Sequence, residues 1–252
     1  MNLNRRLFDV MAHRAAQVQV EMICMGLGYT AVTTSDGGVG LSYTYFENKA
    51  GCTLVGEYED FEGRPAIDLL ALIQTGDALA RSQALALINA LNHRHLMQLP
   101  ADTANDVLFD ILGIGPGSRV AMVGFFKPLM GALKSLGATV EVIDEFRGMG
   151  EKETFYRRLS SWSDAALITS TALLNNTAEK ILDQLGPNVH AAILGPSTPL
   201  IPDAFCPWPA VKALAGTVPV ETEPVLKAVR HGLGTPFLHR YSRKATIRTQ
   251  VK

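Results

Sequence analysis

The sequence predicts an α/β protein. A small α+β unit over residues 1–100 is followed by a Rossmann-like unit over residues 101–252 whose sheet is mainly parallel. Three observations carry this. Residues 118–232 alternate short apolar runs with helix-forming runs, which is the pattern of parallel strands covered by helices on both faces. The first hundred residues instead place one Thr/Val/Tyr-rich stretch between helix-forming segments. The chain has 252 residues, of which 47% are apolar and 19% charged, enough to bury a full core as one large or two modest units.

Taken in order, residues 5–25 carry Leu7, Val10, Met11, Val18, Met22 and Met25 near helical spacing, and an amphipathic first helix is expected there. In "YTAVTTSDGGVGLSYTYF", residues 29–46, Asp36-Gly37-Gly38 supplies a tight turn and predicts an antiparallel hairpin. The segment "GDALARSQALALINALNHRHL" has no internal Gly or Pro and predicts a helix with Asp77 as N-cap. "LPADTANDVLFDILGIGPGS" reads as the crossing between units. Beyond it, "RVAMVGFF", "TVEVIDE", "AALITSTAL", "HAAILGP" and "VKALAGTVPV" read as strands. "KPLMGALKSLG", "NTAEKILDQLG" and "EPVLKAVRHG" read as helices.

Composition narrows the partners. A net charge of −1, from 23 basic and 24 acidic residues, gives no reason to expect nucleic acid or an anionic membrane, so a small ligand is the default partner. Cys24, Cys52 and Cys206 form no CxxC pair and no even framework, and read as reduced thiols of a cytoplasmic protein. The N-terminus lacks the h-region of a secretory signal, and no apolar run is long enough to span a bilayer. The basic tail "FLHRYSRKATIRTQVK" reads as a solvated or partner-docked terminus, and with the apolar first helix it leaves room for a homodimer.

In an open parallel sheet, ligands bind beyond the carboxyl ends of the strands. Four ends qualify: Gly124, Phe125 and Phe126; Asp144 and Glu145; Thr169, Ser170 and Thr171 with Asn175; and Gly195, Pro196, Ser197 and Thr198. Asp144 follows Gly124 by 20 residues, the offset of a ribose-binding acid, but no G-x-G-x-x-G accompanies it, so a nicotinamide dinucleotide is disfavoured and the cofactor is left unnamed. Phe125 and Phe126 form either an aromatic wall for a flat ring or a packing surface for the other unit. Asn176 or Thr177 suits a helix N-cap, with Asn175 beside it. Pro196 and Pro199 stiffen the last turn, which is expected to present Ser197 and Thr198 to a cleft. On the first unit, Asn89, Asn92 and His93 share a helix face, and Asn89 needs a polar partner or a cleft. His93-x-His95 has the wrong spacing for a helical zinc pair, and Ser197 lacks a nucleophile elbow.

"VAMVGFF", "ITSTALLNNT", "ILGPSTPLIPDAF" and "ALAGTVPV", in that order, with "SDGGVGLSYT" and "LINALNHRH" before them, resemble the "putative heavy-metal chelation" domain family. The resemblance spans nearly the whole chain and GPSTP is its most specific element. It implies an enolase-N-terminal-like domain followed by a Rossmann-like domain, with a ligand held between them, and it adds Ser35 and Asp36 to the candidate residues. It also implies a link to metal handling, in which a metal arrives already complexed or meets oxygens of Asp36, Asp144 or Glu145. Three functions follow: a small-molecule binding protein or enzyme with an interdomain site, a direct metal binder, or a non-catalytic interaction protein.

Overall fold

A computed structural model describes residues 2–46, 59–75 and 77–249, so Cys52 lies outside the described residues. The first part runs α1 (Leu3–Ala15), β1 (Val20–Met25), β2 (Tyr29–Thr34), β3 (Val39–Tyr43), α2 (Ala66–Leu70) and α3 (Ala78–Leu96). It continues with α4 (Asp106–Leu112), β4 (Arg119–Val123), α5 (Lys127–Ser135), β5 (Thr139–Ile143), α6 (Lys152–Ser161), β6 (Ala165–Thr169), α7 (Thr171–Leu174) and α8 (Ala178–Leu182). The last elements are β7 (His190–Leu194), β8 (Val211–Pro219), α9 (Thr222–Arg230), α10 (Thr235–Leu238) and β9 (Ser242–Arg248).

β1, β2 and β3 form an antiparallel sheet in that order. The expected hairpin is β2–β3, turning at Asp36-Gly37 with Gly37 at φ +82°. The first helix stops earlier than expected, at Ala15, because "VEMICM" is a strand. A stretch apolar at both periods cannot be assigned by pattern alone. α3 starts at Asp77, whose carboxylate accepts the Leu79 amide at 2.8 Å. Its residues Ala84 to Leu91 are all buried, since neighbours enclose it on every side.

The larger sheet has the order β5-β4-β6-β7-β8-β9, parallel from β5 to β8, with β9 antiparallel to β8. Alternate strand residues enter two cores, as the two-residue repeat of a strand requires. Ala121, Ala166, Ile168, Ala191 and Ile193 pack with α1, α3, α6 and α7. Val120, Met122, Leu167, Ala192 and Leu194 pack with α4 and α5. The first core runs unbroken from Leu7 and Leu85 in the first part to Phe205 and Leu214 in the second.

The C-terminal residues form an edge strand rather than a free terminus. Of the basic tail, Ser242–Arg248 is a strand paired along β8, where Arg243 Nη2 donates to Leu96 O at 2.9 Å and Arg248 pairs with Asp110 at 3.1 Å. α1 likewise spends its apolar face, Leu3, Leu7, Met11 and Ala15, on the protein's own core. α9 crosses back to the small sheet, where Val225, Leu226 and Val229 pack on Cys24, Tyr29, Ala31 and Leu41. β2 is therefore buried along its whole length, between α3 and α9. Among the described residues, no helix is long and apolar enough to cross a membrane.

Candidate functional site

The strand order fixes where a ligand crevice can form. β4 is flanked by β5 on one side and β6 on the other, so the chain reverses its direction of travel between β4 and β6, and the loops leaving these strands diverge there. Gly124, at φ +82°, ends β4; a Cβ at this position would stand 3.0 Å from Thr169 Cβ, so the two loops meet through glycine backbone. The next loop is equally close. Gly195 has φ +130°, a conformation reserved for glycine, and its Cβ would lie 2.5 Å from Ser170 Oγ.

At the end of β6, the hydroxyls of Thr169 and Thr171 are hydrogen-bonded at 3.0 Å, and the Thr171 amide donates to Thr169 Oγ1 at 3.3 Å. Both residues are half-buried, whereas Ser170 is buried. Thr177 is the N-cap of α8, though its side chain makes no capping hydrogen bond; Asn175 Oδ1 instead accepts from Thr177 Oγ1 at 2.7 Å and Thr177 N at 3.2 Å. Asn176 takes the left-handed conformation at φ +57°, and its Oδ1 accepts from Asn4 Nδ2 at 2.9 Å. The remaining amide of Asn175 faces the phenol of Tyr45 at 3.5 Å. Tyr45 belongs to an edge-to-face series, with Tyr29 and Tyr43 at 6.0 Å and Tyr43 and Tyr45 at 6.4 Å between centroids. The sequence reading missed Tyr43 and Tyr45. Their signal was present in "SYTYF", where two tyrosines two residues apart point the same way at the end of a strand.

The turn after β7 differs from its expected role. Ser197 and Thr198 are 0% and 1% exposed, and the Ser197 hydroxyl faces the first part of the chain rather than an open cleft. Ser197 Oγ accepts the Tyr43 amide at 2.8 Å and the Ser42 hydroxyl at 3.1 Å. The α3 face is used the same way. Asn89 Nδ2 donates to Leu41 O at 2.9 Å and Pro196 O at 3.3 Å, Asn92 Nδ2 donates to Leu200 O at 3.0 Å, and His93 Nε2 lies 2.8 Å from Pro219 O. This face fastens the two parts together. Among the described residues, Asn89 Oδ1 and Thr198 Oγ1 are buried at this seam without a hydrogen-bonding partner.

The acids are dispersed. Asp144 sits between the β4 and β5 loops, accepting the Phe125 amide at 3.0 Å and the Arg147 amide at 3.1 Å. Glu145 is exposed and pairs with Lys152 at 2.8 Å. Half-buried Phe125 lies beneath the Arg147 guanidinium, 5.6 Å away, while Phe126 packs on the α4–α5 core. Ser35 and Asp36 lie at the far end of the β2–β3 hairpin from Tyr43, so the structure does not bring them to the strand ends. Ser35 Oγ accepts the Gln19 amide at 3.0 Å, and Asp36 pairs with Arg14 and accepts the Thr34 hydroxyl at 2.7 Å. Burial raises the Asp36 pKa, but the Thr34 hydroxyl and Arg14 outweigh it and hold the carboxyl below its ordinary value. Among the described residues, no three His, Cys, Asp or Glu side chains converge to hold a metal ion, and no hydroxyl of the site is bonded to a histidine or carboxylate. Cys24 and Cys206 are free thiols, and burial pushes the Cys24 pKa up against the opposing charge of Arg230.

A family model described as "Putative heavy-metal chelation", DUF364, matches residues 106–248. The chain belongs to the DUF364 family. A second model with the same description, DUF4213, matches residues 8–92. Among solved structures, a DUF364 protein of unknown function from Pyrococcus horikoshii is 20% identical, with a TM-score of 0.80, covering 98% of this chain and 100% of its own. Another, from Desulfitobacterium hafniense and also of unknown function, is 18% identical with a TM-score of 0.73, covering 97% and 98%. No curated protein matches the chain. The structural likenesses establish the α/β fold of a small sheet and a six-stranded, mostly parallel one.

Proposed function

We propose that this DUF364 protein binds a small polar ligand, or a metal ion already wrapped in such a ligand, at the β4/β6 switch point beside Tyr43 and Tyr45. The observation that carries the reading is the meeting of three strand-end loops at Gly124, Thr169–Thr171 and Gly195, next to the phenol of Tyr45 and the amide of Asn175. These groups are hydroxyls, amides and a phenol, which recognise oxygen- and nitrogen-rich organic molecules by hydrogen bonding. They do not form the thiolate or imidazole set that would strip a soft metal from water. The family description, "Putative heavy-metal chelation", supports a metal in the cargo, and the donor set supports its arrival as a complex. Ser35, Asp36 and Glu145 fall outside the proposed site, and Asn89, Ser197 and Thr198 are buried in the seam between the two parts of the chain.

The test is a thermal-shift screen of nucleotides, pterins, S-adenosylmethionine, bare divalent ions and ferric and zinc citrate. A ligand present at a hundred times its dissociation constant adds about 2.7 kcal/mol. Thr169→Val with Thr171→Val should weaken any hit at least tenfold with little change in the melting temperature of the free protein. Stoichiometric retention of a bare metal after dialysis, unaffected by that double variant, would replace this reading with direct metal binding.

A further inference from the structure

We infer that the solvent side of α9 carries a second ligand site, selective for a small organic anion with an aromatic body. A hollow of about 440 Å³ opens between α9 and the α10 segment. That size lies within the range of roughly 300–1,000 Å³ typical of small-molecule sites. Its walls divide by chemistry. Phe237, Tyr241, Leu233 and Pro224 supply apolar surface, with Phe237 41% exposed. Lys227 and Arg230 supply positive charge, with the His231 imidazole beside them.

The three basic residues stand at i, i+3 and i+4, so they share one stripe of the helix, opposite the buried Val225, Leu226 and Val229. Among the described residues, neither Lys227 nor Arg230 is within ion-pair distance of a carboxylate, although Glu223 lines the same hollow one turn earlier. Cations in a last helical turn complement its free carbonyls. That explains Lys227 and Arg230 as helix-end residues but not their convergence on a ring-lined hollow. Arg240 adds a third cation, stacked on Phe237 with its guanidinium carbon 4.7 Å from the ring centroid. A ring entering between Phe237 and Tyr241 would place an attached carboxylate or phosphate on the Lys227–Arg230 stripe.

This site lies outside the strand-end group, and its test is independent of that reading. The intact protein is titrated with benzoate, phenyl phosphate, inorganic phosphate and benzyl alcohol by ligand-observed NMR at low salt. At least one ring anion should bind tenfold or more tightly than either inorganic phosphate or benzyl alcohol; which one identifies the anion as carboxylate or phosphate. Lys227→Gln with Arg230→Gln should weaken that binding at least tenfold, as should Phe237→Ala. The Lys227 and Arg230 side chains are exposed, so the melting curve of that double variant should match the parent. Thr169→Val with Thr171→Val should leave the binding unchanged. The inference is overturned if neither ring anion binds, if the Lys227/Arg230 double variant binds as well as the parent, or if binding is lost only in the Thr169/Thr171 double variant.

Discussion

The turns leaving β6 and β7 look alike in sequence, each a strand end followed by Ser and Thr. In the fold they have separate tasks. The β7 turn is closed off by the first part of the chain, with Ser197 gripped by Ser42 and Tyr43, while the β6 turn keeps Thr169 and Thr171 half-exposed and bonded to each other. What separates them is strand order. β6 borders the switch point, whereas β7 lies one strand inward and under β3 and α3. Small hydroxyl residues at a strand end therefore have different surroundings, and strand order decides whether the rest of the chain covers them.

The contrast can be broken most forcefully at Gly195. Gly195→Ala combines a backbone conformation reserved for glycine with a Cβ driven against Ser170 Oγ, and should lower stability by about 3 kcal/mol in urea denaturation. Ser197→Ala removes the acceptor of the Tyr43 amide and should lower stability by about 1–2 kcal/mol. At the β6 turn the expectation inverts. Thr171→Val should change stability by less than about 0.5 kcal/mol, because its partner Thr169 stays half-exposed, yet it should weaken ligand binding. A Thr171→Val variant as unstable as Ser197→Ala would erase the distinction.

The smallest effect belongs to the hairpin end, which the sequence reading had also placed with the site. The Asp36 carboxyl titrates below its ordinary value when folded, so its contribution is present above the unfolded pKa and disappears as pH falls through the folded one. Asp36→Asn should accordingly flatten the decline of melting temperature between about pH 5 and pH 3. Ligand binding at neutral pH should be unchanged.

The alternation of the second part was legible because parallel strands buried on both faces are continuously apolar, as in "AALIT" and "HAAIL". α6 was not read, since only Phe155 and Leu159 of "KETFYRRLSS" are buried and its pattern is mostly charge. β9 was hidden for a related reason: it is an edge strand whose Arg243, Lys244 and Arg248 reach carbonyls, an amide oxygen and a carboxylate on other elements. The strand-end residues were found from the carboxyl-end rule, but the closure of the β7 turn was not. It depends on Ser42 and Tyr43 meeting Ser197 across more than 150 residues, and no local pattern encodes such a meeting.

The return of α9 to the small sheet also sets a schedule for synthesis. While the first hundred residues are emerging from a ribosome, Cys24, Ala31 and Leu41 have no covering for their outer face, because Val225, Leu226 and Val229 have yet to be translated. The small sheet is thus made well before the helix that covers it. A nascent chain halted before residue 222 presents a bare apolar sheet to the cell's chaperones.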